Sequence, residues 1–571
     1  MGTNLNNPLV VQSDRTLLLE VDNPLYPEVR DALAPFAELI RSPEHIHTYR
    51  LTELSLWNAA AAGMTAQAML DVLQRYSKYP VPANIIRDIP DIVSRYGRVR
   101  LEKDEQGLRL VCPDRPLLEE LARHPAVRQY LGERLTANEF RVPTAHRGLI
   151  KQALISVGYP AEDLAGYTPG AFLDIRLRET TLSGRPFQLR PYQKQAAEIF
   201  YAGGDVRGGS GVIVLPCGAG KTIVGLAVMA LLQRQTLVLT TSISAVKQWR
   251  RELLDKTSLT DQEIAEYTGE SKKLGPVTLA TYNILTYRPE KSEEFPHFRI
   301  FDQQDWGLII YDEVHLLPAP VFRITAQIQA RRRLGLTATL VREDGREADV
   351  FSLIGPKKYD VPWRELETQG WIAEAQCYEI RVRLVEDWRM EYALAEPRHK
   401  YRLASENPAK LDIIAKLLER HAGDQVLIIG QYLSQLRQIR DRFRIPLITG
   451  STPTAERERL YQAFREGKLP RLVLSKVGNF AIDLPDANVL IQVSGTFGSR
   501  QEEAQRLGRI LRPKPNGIRA RFYTLVTRDT KEMEFAQHRQ LFLTEQGYTY
   551  QILDADELSS PNHSIVGVGA A

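Results

Sequence analysis

The stretch L-P-C-G-A-G-K-T at 215–222 constrains this chain more than any other. An apolar run, Gly211–Leu215, leads into it, and an amphipathic stretch, Thr222–Gln233, leads out. A strand that turns directly into a helix through a glycine-rich loop aims several backbone N–H groups at one point, and the helix N-terminus there favours negative charge. Lys221 is placed to reach β- and γ-phosphates and Thr222 to hold Mg²⁺. Leu215 stands where the usual pattern has its first glycine, but Gly218 and Gly220 occupy the positions where backbone must come close. Incidental glycines in a plain turn would not require Lys-Thr at this spacing.

A loop of this kind predicts a parallel sheet covered by helices, and the flanking sequence agrees. Gly211–Leu215, Thr236–Thr240, Val277–Ala280, Leu308–Tyr311 and Leu334–Thr337 read as strands buried on both faces. A second series follows in Val426–Ile429, Pro446–Thr449, Arg471–Leu474, Val489–Val493 and Ala520–Leu525. The fold class is therefore α/β with two tandem parallel-sheet domains. The first 180 residues read differently, as mainly helical. Leu54–Ala62, Thr65–Tyr76 and Ala83–Tyr96 are helical runs, followed by a hairpin of Val99–Glu102 and Leu108–Cys112. Three helices and a hairpin are the order of a winged helix-turn-helix, and equally of a small helical domain whose hairpin caps its core. Further helices are expected at Pro116–Arg123 and Arg147–Val157, and a loop at Gly158–Gly170.

Composition excludes several classes. Of 571 residues, 43% are hydrophobic and 25% charged, which rules out a disordered or collagen-like chain. No apolar run approaches the roughly 18 residues of a membrane helix. The N-terminus has no secretory pattern, and Asn6 spoils a myristoylation site at Gly2. Cys112, Cys217 and Cys377 are too few for a disulfide framework or zinc cluster, so a reducing, cytoplasmic setting is expected. Residues 1–180 hold 21 Lys and Arg against 23 Asp and Glu, leaving the surplus of positive charge to the remainder, a weak hint of a polyanionic partner there.

Three further motifs carry chemistry. L-I-I-Y-D-E-V-H at 308–315 ends an apolar strand in a carboxylate pair. Asp312 suits a metal holder and Glu313 a water positioner, the division that phosphoryl transfer needs. Q-R-L-G-R-I-L-R at 505–512 places Arg509 and Arg512 on one helix face beyond Gln505. Arginines brought to a γ-phosphate stabilise transition-state charge, although an Arg-rich helix is often only a solvated face. L-R-P-Y-Q at 189–193 offers Gln193 two hydrogen bonds for an adenine edge. In Glu386–Ala404, basic and aromatic residues interleave, as on single-strand binding surfaces or in a solvated linker.

Together these pieces resemble superfamily 2 helicases and translocases. T-A-T-L-V-R-E-D at 337–344, S-K-V-G at 475–478, D-L-P-D-A-N-V-L-I-Q-V-S at 483–494 and G-S-R-Q-E-E-A-Q-R-L-G-R-I-L-R at 498–512 narrow the match over roughly residues 180–530 to the xeroderma pigmentosum group B (XPB) helicase family. The resemblance implies two RecA-like lobes sharing ATP and Mg²⁺. Lys221, Thr222, Asp312, Glu313, Arg509 and Arg512 would form the ATP site, with Thr222 and Asp312 on the metal and Gln505 helping to close it. Arg190, Gln193, Pro216, Cys217, Gly218, Ala219 and Gly220 would complete the nucleotide contacts, and Asp483 would face the ribose. Thr241 and Thr281 would touch the DNA backbone. His315, Thr337 and Thr339 would couple ATP state to DNA grip, and Arg342, Glu343 and Asp344 would act in strand separation. Asn479 departs from the family pattern, which has an acidic residue there.

The organisation this implies is a helical, winged-helix-like domain at 1–113 and a damage-recognition-like domain at 114–183. A RecA-like domain at 184–362, a linker with a small thumb-like insertion at 363–422, a second RecA-like domain at 423–553 and a flexible tail complete it. The implied activity is an ATP-dependent 3′→5′ DNA helicase in nucleotide excision repair or transcription-linked opening. It would act as a monomer on single-stranded or forked DNA, alongside a nuclease or repair partner. The alternatives are a double-strand translocase, an ATP-gated DNA-binding scaffold and an RNA helicase.

Overall fold

The computed structural model describes residues 4–41, 45–205, 207–216, 218–289, 295–329, 331–338, 347–361, 366, 369, 375–475, 487–495, 520–545 and 550–556. The chain divides into two compact units. One holds most of residues 1–361, and the other holds residues from 362 onward with the short pieces Leu39–His47 and Cys217–Ala219.

In the N-terminal region, strands β1 (Leu9–Val11), β2 (Thr16–Glu20), β3 (Glu38–Arg41) and β4 (Ile46–Arg50) form a four-stranded sheet in the order β1-β2-β4-β3. The helices Glu53–Ala61, Ala66–Tyr76 and Ala83–Arg95 follow, close to their expected bounds. Thr52 and Thr65 cap the first two, each accepting a backbone N–H three residues on. The expected hairpin is β5 (Arg100–Asp104) and β6 (Gly107–Val111). It does not act as a wing on those helices. It joins β7 (Arg134–Thr136), β8 (Glu139–Val142) and β9 (Glu162–Asp163) in a five-stranded sheet, β7-β8-β6-β5-β9. Leu101, Leu108 and Leu110 share one core with Leu117, Leu118, Leu121 and Leu154. A boundary at 113/114 would cut through this core.

The expected α/β domain follows, with β10 (Ser210–Val214), β11 (Thr236–Thr240), β12 (Ile264–Tyr267), β13 (Val277–Thr281), β14 (Leu308–Asp312), β15 (Arg332–Thr337) and β16 (Lys357–Asp360). All pairings are parallel, in the order β12-β13-β11-β14-β15-β10-β16. β11 and β13 are buried at every residue, which explains their unbroken apolar and threonine runs.

The second unit repeats this plan. Its strands are β17 (Ala375–Val382), β18 (Val426–Ile429), β19 (Leu447–Ile448), β20 (Arg471–Leu474), β21 (Val489–Gln492), β22 (Ala520–Thr527) and β23 (Tyr550–Asp554), ordered β19-β20-β18-β21-β22-β17-β23. Numbered from its own first strand, each seven-stranded sheet reads 3-4-2-5-6-1-7. The stretch expected as a linker thus contains the first strand of the second sheet. β17 reads A-Q-C-Y-E-I-R-V, alternating rather than uniformly apolar, which hid it. Helix Lys410–Arg420 belongs here too, with Ile413, Ile414, Leu417 and Leu418 in the sheet's core.

The charged helical stretch forms two short helices, Arg389–Leu394 and Pro397–Ser405. It is not a loose tether. Tyr401 OH donates to the Gly495 carbonyl at 2.6 Å, Thr527 Oγ1 donates to the Ala404 carbonyl at 2.6 Å, and Lys531 N–H donates to Tyr392 OH at 2.8 Å. Below it, Lys410 Nζ meets both Glu532 carboxylate oxygens at 2.8 Å with both side chains fully buried. No helix among the described residues is long and apolar enough to cross a membrane.

Candidate active site

Parallel strands converge their C-terminal ends on one edge of the sheet, and the candidate residues of the first unit lie at that edge. β10 runs into Leu215 and Pro216, and the helix Lys221–Leu232 begins after Gly220. Gly218 and Gly220 both have left-handed backbone, φ +82° and +81°, which glycine adopts without cost. A Cβ on Gly220 would lie 2.6 Å from Gln193 Nε2, so a side chain there is excluded by contact as well as by conformation. Gln193 is buried in the first turn of helix Pro191–Tyr201, and its Oε1 accepts the Arg190 N–H at 3.0 Å. Arg190 Nη1 donates to Tyr192 OH at 3.1 Å. The L-R-P-Y-Q segment is thereby fixed against the glycine loop.

β14 delivers the carboxylate pair. Glu313, just past the strand, has φ +52°, a left-handed conformation that costs a non-glycine residue roughly 1–2 kcal/mol. Strain of this kind is retained where surrounding contacts enforce it. Here the enforcing contacts are Lys221 Nζ, 3.3 Å from Glu313 Oε1, and His315 Nδ1, 3.5 Å from Oε2. His315 Nδ1 also lies 2.5 Å from Thr337 Oγ1, at the end of the neighbouring strand β15. Lys221, Glu313, His315 and Thr337 therefore form one connected chain of contacts drawn from three motifs.

Asp312 is held differently. Its Oδ2 accepts the Trp249 indole N–H at 2.8 Å, and its carbonyl accepts the Tyr282 hydroxyl at 2.9 Å. Burial, then the charge of Glu313, pushes the Asp312 carboxyl up to about 6, and the Trp249 bond and Lys221 offset only part of that. Burial also acts against the Glu313 carboxylate, but Lys221 and then His315 outweigh it and hold the group below its ordinary value. Adjacent carboxylates are thus driven apart by their surroundings, a pattern of division of labour.

Trp249 and Tyr282 were not legible as site residues. One signal did exist: Gly225, inside an otherwise apolar helix. A Cβ there would sit 2.5 Å from the Trp249 ring, so the glycine gives the indole room beneath the loop helix.

The remaining expected residues divide. Thr222 is half-buried in the first turn of the loop helix. Thr241, also half-buried, follows β11, and Thr281 ends β13 beside it, Thr240 and Thr281 being register partners. Thr281 is buried, and its Oγ1 accepts the Ile284 N–H at 3.4 Å, capping the short helix Tyr282–Leu285. Ala219 is fully buried. Cys217, Thr339, Arg342, Glu343, Asp344, Asp483, Gln505, Arg509 and Arg512 lie outside the described residues, as does Asn479.

Among the described residues no cluster of three or more His, Cys, Asp or Glu could hold a metal ion alone. Thr222 and Asp312 offer a hydroxyl and one carboxylate. That donor set suits Mg²⁺, which keeps waters and takes phosphate oxygens instead of an all-protein cage.

Comparison with known proteins places the chain among helicases. The family model described as ERCC3/RAD25/XPB C-terminal helicase matches residues 366–565, and that of the type III restriction enzyme res subunit matches 186–342. A helicase conserved C-terminal domain model matches residues 9–136, in the N-terminal region and not in the second sheet. A protein of Mycobacterium tuberculosis named DNA 3′-5′ helicase XPB is 54% identical over 557 residues, covering 97% of this chain and 99% of its own length. A protein of the same name from Kineococcus radiotolerans is also 54% identical, covering 97% of each chain. The Saccharomyces cerevisiae general transcription and DNA repair factor IIH helicase/translocase subunit XPB/SSL2 is 33% identical, covering 95% of this chain and 71% of its own. Two like-ordered parallel sheets, with a glycine loop and a D-E-V-H strand end in the first, together with these matches, define a helicase. The chain belongs to the XPB family of DNA 3′-5′ helicases.

Proposed function

We propose that this chain is an ATP-dependent motor that separates DNA strands in the 3′→5′ direction, in the service of DNA repair. The observation that carries the reading is the connected set Lys221–Glu313–His315–Thr337 at the mouth of a glycine loop. Relatives spanning nearly the whole chain bear the name DNA 3′-5′ helicase, and more distant ones the name transcription and DNA repair factor subunit.

The loop backbone and Lys221 would bind the β- and γ-phosphates of ATP, and Gln193 the adenine. Thr222 and Asp312 would hold Mg²⁺, which when bound neutralises charge on the phosphate oxygens. Glu313, ionised at neutral pH because Lys221 and His315 outweigh its burial, would accept a hydrogen bond from the attacking water and aim it. His315 would report the state of Glu313 to Thr337 and so to β15. Arg509 and Arg512 are proposed as the guanidinium donors to transition-state charge, each worth on the order of 10³–10⁵ in turnover. Thr241, at the strand-end edge, is proposed to meet the DNA backbone. The Thr281 hydroxyl already caps a helix, which supports a positioning role for it.

The test compares ATP turnover with DNA and with RNA, and unwinding of duplexes carrying a 3′ or a 5′ tail. The reading expects stimulation by DNA and unwinding from the 3′ tail. ATPase stimulated equally by RNA would overturn the substrate. Displacement of a triplex strand without unwinding of any fork would make the protein a double-strand translocase.

A further inference from the structure

At the opposite end of β10 from the glycine loop lies a cavity of about 170 Å³. It opens where helix Arg147–Ser156 and β9 meet the starts of β10 and β16, and Lys151, Asp163, Tyr167, Ser210, Arg207 and Lys358 line it. Among the described residues, none of the candidate ATP-site residues lines it.

The interior of this junction carries too much positive charge for its own carboxylates. Arg147, Lys151 and Arg333 are all buried, and among the described residues the carboxylate that pairs with Arg147 and Lys151 is Asp163. Arg147 engages both Asp163 oxygens, at 2.8 and 3.1 Å, and Lys151 Nζ adds a third contact at 2.9 Å. The guanidinium carbons of Arg147 and Arg333 also flank the Tyr167 ring, 5.5 and 5.7 Å from its centroid. Arg333 is not in the cavity wall: its Nε and Nη1 donate to the Leu353 and Gln329 carbonyls, and its Nη2 is buried without a hydrogen-bond partner among the described residues. Burying an unbalanced cation is costly unless something pairs with it.

Donors converge on the cavity as well. An ammonium has three protons. Lys151 gives two, to Asp163 and to Gln329 Oε1 at 2.5 Å, leaving one. Lys358 gives one to the Arg207 carbonyl at 3.0 Å, leaving two. Among the described residues Arg207 engages Glu162 through its Nε, at 3.4 Å, leaving its terminal nitrogens. Glu162 and Asp163 are the lining carboxylates, and both are already engaged by arginine or lysine. Burial, together with Arg333 and Arg147, depresses the Lys151 ammonium to about 8 despite Asp163, as expected of a cation short of negative charge. The volume holds a few waters or one oxyanion and falls below the several hundred Å³ of drug-sized pockets.

We propose that this cavity is a binding site for a phosphate-sized oxyanion, free or as the terminal group of a small phosphorylated molecule. The anion would pair with the lining cations Lys151, Arg207 and Lys358, offset the field of Arg147 and Arg333 behind them, and brace the N-terminal region against the first parallel sheet. It would do so independently of ATP, since the site sits at the other end of the strands.

The test titrates inorganic phosphate and, separately, glycerol 3-phosphate into the full chain at constant ionic strength, reading the melting temperature and binding heat. Wild type and Lys221→Ala should show the same saturable stabilisation. Arg207→Ala and Lys358→Ala, which change rim residues, should melt as wild type without phosphate but bind about tenfold or more weakly, the loss of one charge-assisted bond. Tighter binding of the ester would identify a phosphorylated metabolite as the source, and tighter binding of inorganic phosphate the free ion. The proposal fails if wild type shows no saturable response, if all variants respond equally, or if the response disappears in Lys221→Ala and survives in Arg207→Ala and Lys358→Ala.

Discussion

Glu313 combines three properties that a structural carboxylate has no reason to combine. It is strained in backbone, ionised against burial, and held at one oxygen by Lys221 of the glycine loop and at the other by His315 of its own motif. Glu313→Gln keeps the shape but removes the charge, so nucleotide should still bind while turnover falls on the order of 10²–10⁴. Equilibrium nucleotide binding measured beside steady-state ATPase separates the two effects. Asp312 depends in turn on Trp249, whose indole N–H donates to its Oδ2 at 2.8 Å. Trp249→Phe retains most of the packing and deletes that donor. Turnover should fall with a higher requirement for Mg²⁺, read from ATPase across a magnesium titration; an unchanged magnesium requirement would mean that the indole serves packing alone. The D-E pair was readable from the sequence because an apolar strand announces where it ends. Trp249 and Tyr282 were not, because their roles depend on which strands become neighbours, and order within a sheet is not written in any local pattern.

At the scale of elements, helices with strong periodicity and fully buried strands were readable nearly to the residue, Thr236–Thr240, Val426–Ile429 and Arg471–Leu474 among them. Strands of mixed sequence or of very few residues were not. β17 alternates, β9 has two residues, and β1–β4 are short and mixed, so seven further strands of the N-terminal region escaped alongside the recognised hairpin. Helix Lys221–Leu232 shows how an element serves the site. Gly225→Val should place methyl groups where the Trp249 ring lies, costing about 1–3 kcal/mol of stability and reducing ATPase as the indole is displaced from Asp312. Chemical denaturation and ATPase on one preparation check both. The junction of helix Arg147–Ser156 with β9 makes a pH prediction. The Lys151 value in the fold, about 8, lies below its ordinary 10.5, so the unfolded chain binds more protons between those limits and stability rises with pH across that window. Lys151→Met should remove up to about 1.4 kcal/mol per pH unit of that rise, measured as denaturant midpoints between pH 8 and 10.5.

At the scale of the whole molecule, the chain contains one architectural idea twice. Both seven-stranded sheets have the order 3-4-2-5-6-1-7, yet only the first begins with a glycine loop. The strand β17 that corresponds to β10 in the second sheet is followed by the paired short helices and not by a phosphate cradle. A duplication specialised in this way suits a protein in which one sheet binds nucleotide. The N-terminal region is tied to that first sheet by Lys151 to Gln329, Gln152 to Asp349 and the Lys357 N–H to Asn58. Binding carried by DNA phosphates should weaken steeply with salt, log affinity falling linearly with log salt concentration. The central claim is that DNA engagement is coupled to ATP hydrolysis at Lys221 and Glu313, and DNA-stimulated ATP turnover compared between wild type and Lys221→Ala tests it most directly. The account predicts strong stimulation of the wild type by single-stranded DNA and turnover at background in the variant with DNA binding retained; stimulated turnover that survives in Lys221→Ala would contradict it.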